Sequence, residues 1–187
     1  MVGNDIVDIA QTKTTTNWRR PRFLDKLFTP KEQAYIHNSS NPFLMVWQLW
    51  SIKEAAYKLY TQENSSRFYN PKQFECELKN QQWLVKYCNY VCYAQTKVTS
   101  KYIISEARLE RLKMTSKVVR FNSKDALIQS QQLRLQVLNL ISETKSIDKS
   151  QLSIIKTKNG VPLVLYKSTK INLSISHHGI YGAYAIC

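Results

Sequence analysis

Apolar and polar positions follow two periods along the chain. Residues 2–9 (VGNDIVDI) form a β-branched run interrupted by two aspartates, which predicts a strand whose polar residues point into a site. Residues 21–28 (PRFLDKLF) predict a short helix with Phe23, Leu24, Leu27 and Phe28 on its apolar side. Thr29-Pro30-Lys31-Glu32 then reads as a helix start: an N-cap hydroxyl, a proline at the first helical position and a glutamate that completes a capping box. That helix ends near Asn38, before an Asn-Ser-Ser-Asn-Pro turn cluster. From Pro42 to about Gln62, Phe43, Val46, Trp47, Trp50, Ala55 and Leu59 share a broad apolar arc, the longest helical pattern in the first half.

The second half returns to strands. Phe74–Leu78 alternates as a half-buried strand does, and 83–94 and 98–109 read as two further strands that could pair as a hairpin. Residues 125–142 predict a second amphipathic helix. Strands at 152–156 and 161–166 flank the turn Lys158-Asn159-Gly160, the strongest hairpin signal in the chain. Strands at 171–176 and 181–186 are joined by His177-His178-Gly179. No internal repeat and no low-complexity linker is legible. Strands at both ends around a long helix predict an α+β fold, an antiparallel sheet packed against that helix. The expected organisation is one domain over 1–187 with an extended region at about 79–149.

Composition narrows the class. At 187 residues and 43% apolar, the chain can bury a core. It holds no apolar run of the length a membrane span needs, and MVGNDIVDIA lacks the pattern of a signal peptide, so a cytoplasmic location is expected. Cys76, Cys88, Cys92 and Cys187 make no zinc pattern and are expected to be buried free thiols. The 27 basic and 13 acidic residues give a net charge of +14, which favours acidic partners: nucleic acid, an acidic protein or a phosphate-rich cofactor. The densest basic stretch is Lys97–Arg120, with seven basic and two acidic residues.

Several residues could carry chemistry. Glu54 and Lys58 share one helix face, where they read as a surface ion pair or, amid so many aromatics, as a carboxylate that needs a metal or other partner. Asp5 and Asp8 lie on opposite faces of their strand, so they are unsuited to share an ion; Asp8 also reads as an aspartate bonding local backbone N–H groups. Asp5 with Glu54 could offer Mg²⁺ two hard oxygen ligands. Ser174-Ile175-Ser176-His177, with His178 and Gly179, reads either as a polar turn or as a phosphate cradle of hydroxyls, imidazoles and backbone N–H groups. No P-loop, dinucleotide fingerprint or G-x-S-x-G elbow occurs.

These pieces, in this order, resemble the 4′-phosphopantetheinyl transferase superfamily. Gly3-Asn4-Asp5-Ile6-Val7-Asp8 resembles its opening G-x-D-[IV] strand, and residues 22–32 resemble its R-F-x-x-[KR]-[IL]-[FL]-[ST]-x-x-E segment. Trp50-Ser51-Ile52-Lys53-Glu54-Ala55-Ala56-Tyr57-Lys58 matches the specific W-[ST]-x-K-E-[AS]-x-x-K signature. Asn159-Gly160-Val161-Pro162 is similar to the N-G-K-P turn, and Ser174-Ile175-Ser176-His177 to the S-[IV]-S-H strand end. The likeness covers roughly 1–78 and 150–187. It departs at Val7, where the larger members have a third acid, and in 59–67, which lack an expected glycine turn.

The resemblance implies transfer of 4′-phosphopantetheine from coenzyme A to a serine of an acyl or peptidyl carrier protein in fatty acid or polyketide biosynthesis, releasing 3′,5′-ADP. It implies Mg²⁺ on Asp5 and Glu54, catalysis by Glu54 and Lys58, with either Glu54 or a metal-bound water taking the serine proton and Lys58 pairing a phosphate or assisting proton transfer, and coenzyme A held by Ser176, His177, Lys53 and Lys58. It further implies carrier contacts at Arg22 and Lys26 and, from the layout of the small holo-acyl-carrier-protein synthases, a homo-oligomer, a trimer. Nucleic acid and membrane are not expected partners. The competing readings are a basic nucleic-acid-binding protein, which leaves Asp5, Glu54 and Lys58 unexplained, and a catalytically inactive carrier-protein adaptor.

Overall fold

In the computed structural model, which describes residues 1–64, 69–109 and 114–187, strand β1 (Gly3–Asp8) is followed by α1 (Ile9–Thr15), α2 (Phe23–Leu27), α3 (Pro30–His37) and the long α4 (Pro42–Glu63). An antiparallel run β2 (Glu75–Lys79), β3 (Gln82–Tyr87), β4 (Tyr90–Val98) and β5 (Tyr102–Arg108) then returns to β1, giving the sheet order β1-β5-β4-β3-β2. The chain next repeats the plan. Strand β6 (Thr115–Arg120), helix α5 (Ala126–Lys145) and strands β7 (Leu152–Lys156), β8 (Pro162–Tyr166), β9 (Thr169–His178) and β10 (Tyr181–Ile186) give the order β6-β10-β9-β8-β7. The fold is α+β with antiparallel sheets, and α4 packs across the first of them as expected.

The repetition extends to register. Asp8 lies opposite Tyr102 in the first sheet, and Arg120 lies opposite Tyr181 in the second. Two-residue turns join β3 to β4 and β8 to β9, each entered at positive φ, at Cys88 and at Lys167. Setting Tyr102 on Tyr181 therefore sets Val98 on His177, Lys97 on Ser176 and Gln95 on Ser174, and likewise Asp5 on Lys117. The sequence reading found no repeat, because few side chains coincide even though the topology does. The stretch at 79–149 holds β3–β5, which complete the first sheet, and then β6 and α5 of the second.

Local sequence explains the helix starts. Thr29 and Glu32 close a reciprocal capping box, and Asn41 and Asp125 accept backbone N–H bonds at the heads of α4 and α5. Strand 83–94 of the sequence reading is in fact two strands, broken at Cys88–Asn89. Cys88 is consequently exposed rather than buried, whereas Cys76 and Cys92 are buried. His177 and His178 belong to β9, and the turn is Gly179–Ile180. No helix among the described residues is long and apolar enough to cross a membrane.

Three apolar clusters hold the layers. Ile52, Ala55 and Leu59 of α4 bury against Val7 and Ile103, and Leu133, Val137 and Ile141 of α5 bury against Val119 and Val164. Each fully buried Leu or Ile of this kind contributes about 1.5–3 kcal/mol. Between the sheets, Ile6 and Ile104 meet Tyr181 and Ala183, with Tyr102 and Val118 against them. The rings of the counterparts Tyr102 and Tyr181 stand 5.2 Å apart. Counterparts thus meet at the centre, as around a two-fold axis.

Candidate functional site

The site is built where α4 crosses β1. Gly3 permits the crossing, since a Cβ there would stand 2.0 Å from the Ala55 carbonyl oxygen. Ser51 adds a hydrogen bond from its hydroxyl to the Asp5 carbonyl at 3.4 Å. Period two along β1 turns Asp5 toward α4 and turns Asn4 and Asp8 toward the second sheet.

Asp5 and Lys58 form an ion pair at 3.0 Å. Lys58 therefore reaches the strand and not simply its own helix neighbour. Glu54, one turn before Lys58, sits half-buried beside them. Burial pushes its carboxyl up to about 7, and the like charge of Asp5 pushes in the same direction, while Lys58 and the Tyr69 hydroxyl pull it down. The buried Tyr69 hydroxyl makes no hydrogen bond of regular geometry among the described residues, yet it lies close enough to favour the charged carboxylate. Trp50, Tyr57 and Phe74 pack against its ring.

Two carboxylates pressed together in a half-buried place are suited to a cation. Among the described residues no group of three or more His, Cys, Asp and Glu stands ready for a metal ion. Val7, at the position of a third acid in the larger transferases, is buried in the apolar core. Asp5 and Glu54 are thus a two-oxygen donor set. This fits Mg²⁺, which takes one or two carboxylates and completes its shell with water and phosphate oxygens. It does not fit zinc, which prefers nitrogen and sulfur.

A cleft of about 410 Å³ opens beside this group. Lys58, Thr61 and Gln62 of α4 form one wall, and Asn159, Gly160 and Ser174 of the second sheet face them. Gly160, at φ 68, supplies the left-handed corner of that turn.

Strand β1 is sewn to β9 by side chains. Ser174 Oγ accepts from the Asn4 backbone N–H at 2.9 Å, Ser176 Oγ from Asn4 Nδ2 at 3.1 Å, and His178 Nδ1 from the Asp8 N–H at 2.9 Å. Asp8 caps α1 through Ala10 and Gln11, and it also accepts from Ile180 N at 3.1 Å. Asp8 is therefore a clasp and not a metal ligand. Gly179 is required beside it, since a Cβ would stand 2.2 Å from Asp8 Oδ2. Burial lowers the His178 pKa, against the raising influence of Asp8 and Asp5, and so keeps the ring neutral to accept that bond.

The predicted residues divide. Asp5, Glu54 and Lys58 come together. Ser176 is buried and tied to Asn4, and its neighbour His177 is exposed; neither lines the cleft. Arg22, which precedes α2 at φ 63, and Lys26, on α2, are exposed and away from the cleft lining. Lys53 is a correction. It is fully buried, pairs with the fully buried Glu32 at 2.8 Å and donates to the carbonyls of Pro71 and Phe74. It is an internal strut and is closed to any ligand. Asn4, Tyr69 and Gln62 were not singled out from sequence, and His178 entered only as part of the candidate phosphate cradle, whereas it accepts from the Asp8 N–H. For Asn4 the signal was available, since it shares the Asp8 face of β1.

A family model described as the 4′-phosphopantetheinyl transferase superfamily matches residues 1–109. The holo-[acyl-carrier-protein] synthase of Campylobacter lari is 40% identical over 58 residues, which is 31% of this chain and 47% of that protein. Its counterpart from Chlamydia muridarum is 35% identical over 57 residues, 30% and 46% of the two chains. The chain thus spans about half the length of the curated relatives it matches. The crystal structure of Thermotoga maritima holo-[acyl-carrier-protein] synthase (AcpS) aligns over 90% of this chain and 83% of that one, at 12% identity and a TM-score of 0.44.

Proposed function

We propose that this chain, which belongs to the 4′-phosphopantetheinyl transferase superfamily, moves the 4′-phosphopantetheine arm of coenzyme A onto a serine of an acyl or peptidyl carrier protein. The observation that carries this reading is the convergence of Asp5, Glu54 and Lys58 beside a cleft whose far wall is the Asn159–Gly160 turn.

The serine oxygen attacks the β-phosphorus of coenzyme A, and the bond from that phosphorus to the bridging oxygen breaks. 3′,5′-ADP leaves with the electron pair. Asp5 and Glu54 would hold Mg²⁺, which supplies charge neutralisation at the pyrophosphate. Lys58 places its ammonium at the cleft wall, where it meets phosphate oxygens in exchange for part of its hold on Asp5. Glu54, half-buried beside Lys58, is suited to take the serine proton on a carboxylate oxygen not committed to the metal. The Asn159–Gly160 turn bounds the nucleotide end. The exposed Arg22 and Lys26 offer an acidic carrier a basic approach, and His177 a surface contact for coenzyme A. Both walls of the cleft belong to one chain. This supports a monomer complete in itself over the trimer expected from sequence, and sedimentation velocity of the active species separates the two.

The test is incubation with coenzyme A, Mg²⁺ and an apo carrier protein, followed by intact mass measurement. A carrier heavier by one phosphopantetheine arm is expected with wild type, and none with Asp5→Ala or Glu54→Ala. Folded wild-type protein that modifies no carrier across acyl and peptidyl types overturns the reading in favour of an inactive adaptor.

A further inference from the structure

We propose that the chain carries a second anion site, on the far side of its internal two-fold from the first cleft. This site would take a phosphate-bearing ligand directly on side-chain cations, without a metal ion. A groove of about 780 Å³ is lined there by residues 81–83 and 94–96, together with Lys97, Arg108 and Lys117. Leu84 lies opposite Tyr93 as Leu163 lies opposite Asn172, so residues 81–83 and 94–96 are the register counterparts of 160–162 and 173–175. Those counterparts wall the first cleft. The two cavities share equivalent strand walls and differ in the other wall, which is α4 in the first and β5 with β6 in the second.

Their chemistry differs at the equivalent positions. Ser174 and Ser176 draw β9 against β1, but their counterparts Gln95 and Lys97 are long and make no such bonds among the described residues. Ser116, the counterpart of Asn4, donates instead to Glu106. While β9 lies along β1, β4 and β6 stay apart, so this side remains open. The metal-side carboxylate Asp5 is replaced by Lys117.

Charge then selects the ligand. Lys97, Arg108 and Lys117 have no ion pair among the described residues. The one acid in the lining, Glu106, keeps its charge but is turned to Ser116 by a hydrogen bond, and Lys97 and Arg108 outnumber it. Lys97 and Arg108 rise from the same face of the first sheet, because alternate residues of β4 and β5 share it. An arginine fork beside the Lys97 ammonium suits phosphate oxygens, and the groove has room for more than one phosphate; Lys117, on the α5 face of β6 with Val119, only borders it. Lys97 and Arg108 of the basic stretch Lys97–Arg120, for which the catalytic reading has no use, thereby have a place; Arg111 and Lys113 of that stretch lie outside the described residues. This inference does not depend on the transferase reading.

Inorganic pyrophosphate in metal-free buffer is the probe, titrated calorimetrically into the full chain. One site is expected. Lys97→Gln with Arg108→Gln should weaken it about tenfold or more, whereas Lys58→Gln in the first cleft and Lys145→Gln with Lys156→Gln on the remote surface should leave it unchanged. Amide shifts in wild type should gather at Lys97 and Arg108, which tests the site without any variant. Equal weakening by the remote pair would reveal diffuse surface charge and overturn the proposal. Loss on Lys58→Gln alone would place the anion in the first cleft and overturn it too, while leaving the transferase reading intact; the carrier mass assay on the same variants reads that separately.

Discussion

Lys53 and Glu54 are neighbours in one motif with opposite fates. Lys53 turns inward to Glu32 and two carbonyls, so Lys53→Ala should leave a buried carboxylate unpaired and lower stability by about 3–5 kcal/mol in urea unfolding. Glu54 turns to the cleft edge, where its folded pKa is raised from 4.5 to about 7. A raised carboxyl contributes stability fully below its unfolded pKa and loses it as pH climbs through the folded one. Without metal, stability should therefore decline between about pH 4.5 and 7, by ~3 kcal/mol at most. Glu54→Gln should flatten that decline, and Mg²⁺ should offset it in wild type; thermal melts at pH 5 and pH 8 with and without Mg²⁺ measure both. The sequence placed Glu54 and Lys58 on one helix face but could not show which way Lys53 points. With aromatics nearly all round that helix, the apolar arc is too broad to give a direction.

At the level of elements, β1 with α4 and its clasp to β9 decide whether there is a site at all. Gly3→Ala should push α4 off the strand, cost about 1–3 kcal/mol and depress transfer even though no ligand touches it. A Gly3→Ala protein with wild-type melting and wild-type turnover would refute that dependence. Helix starts were legible because Thr29, Pro30 and Glu32 act locally. The break at Cys88–Asn89 was not, because neither glycine nor proline marks it and a cysteine holds the positive φ. The side-chain bonds from Ser174, Ser176 and His178 were also out of reach, since nothing local pairs residues so far apart.

In the whole molecule, two sheets of one plan meet face to face and the net charge is +14. An acidic carrier should be steered by that charge. Raising salt from 0.1 M to 1 M shortens the Debye length from about 10 Å to about 3 Å. That should lower kcat/KM for the carrier strongly and kcat weakly, as a steady-state salt series would record. Unchanged kcat/KM would mean that docking does not use this charge. The fold class was legible from strands at both ends and a long helix between. The doubling was not, because a repeat that keeps register while changing its side chains leaves little trace in one sequence.

The clasp between β1 and β9 has a consequence in time. Its bonds join residues 170 and 172 positions apart in the chain. Helices form in about a microsecond, whereas contacts of such long separation form late, because the loop they close must first be ordered. During refolding from denaturant, far-ultraviolet ellipticity from α4 should return before the cleft does. A protein with its helix rebuilt and Glu54 and Lys58 on it would still lack Asp5 in its strand and the opposite wall, and transfer activity should appear in the slowest phase.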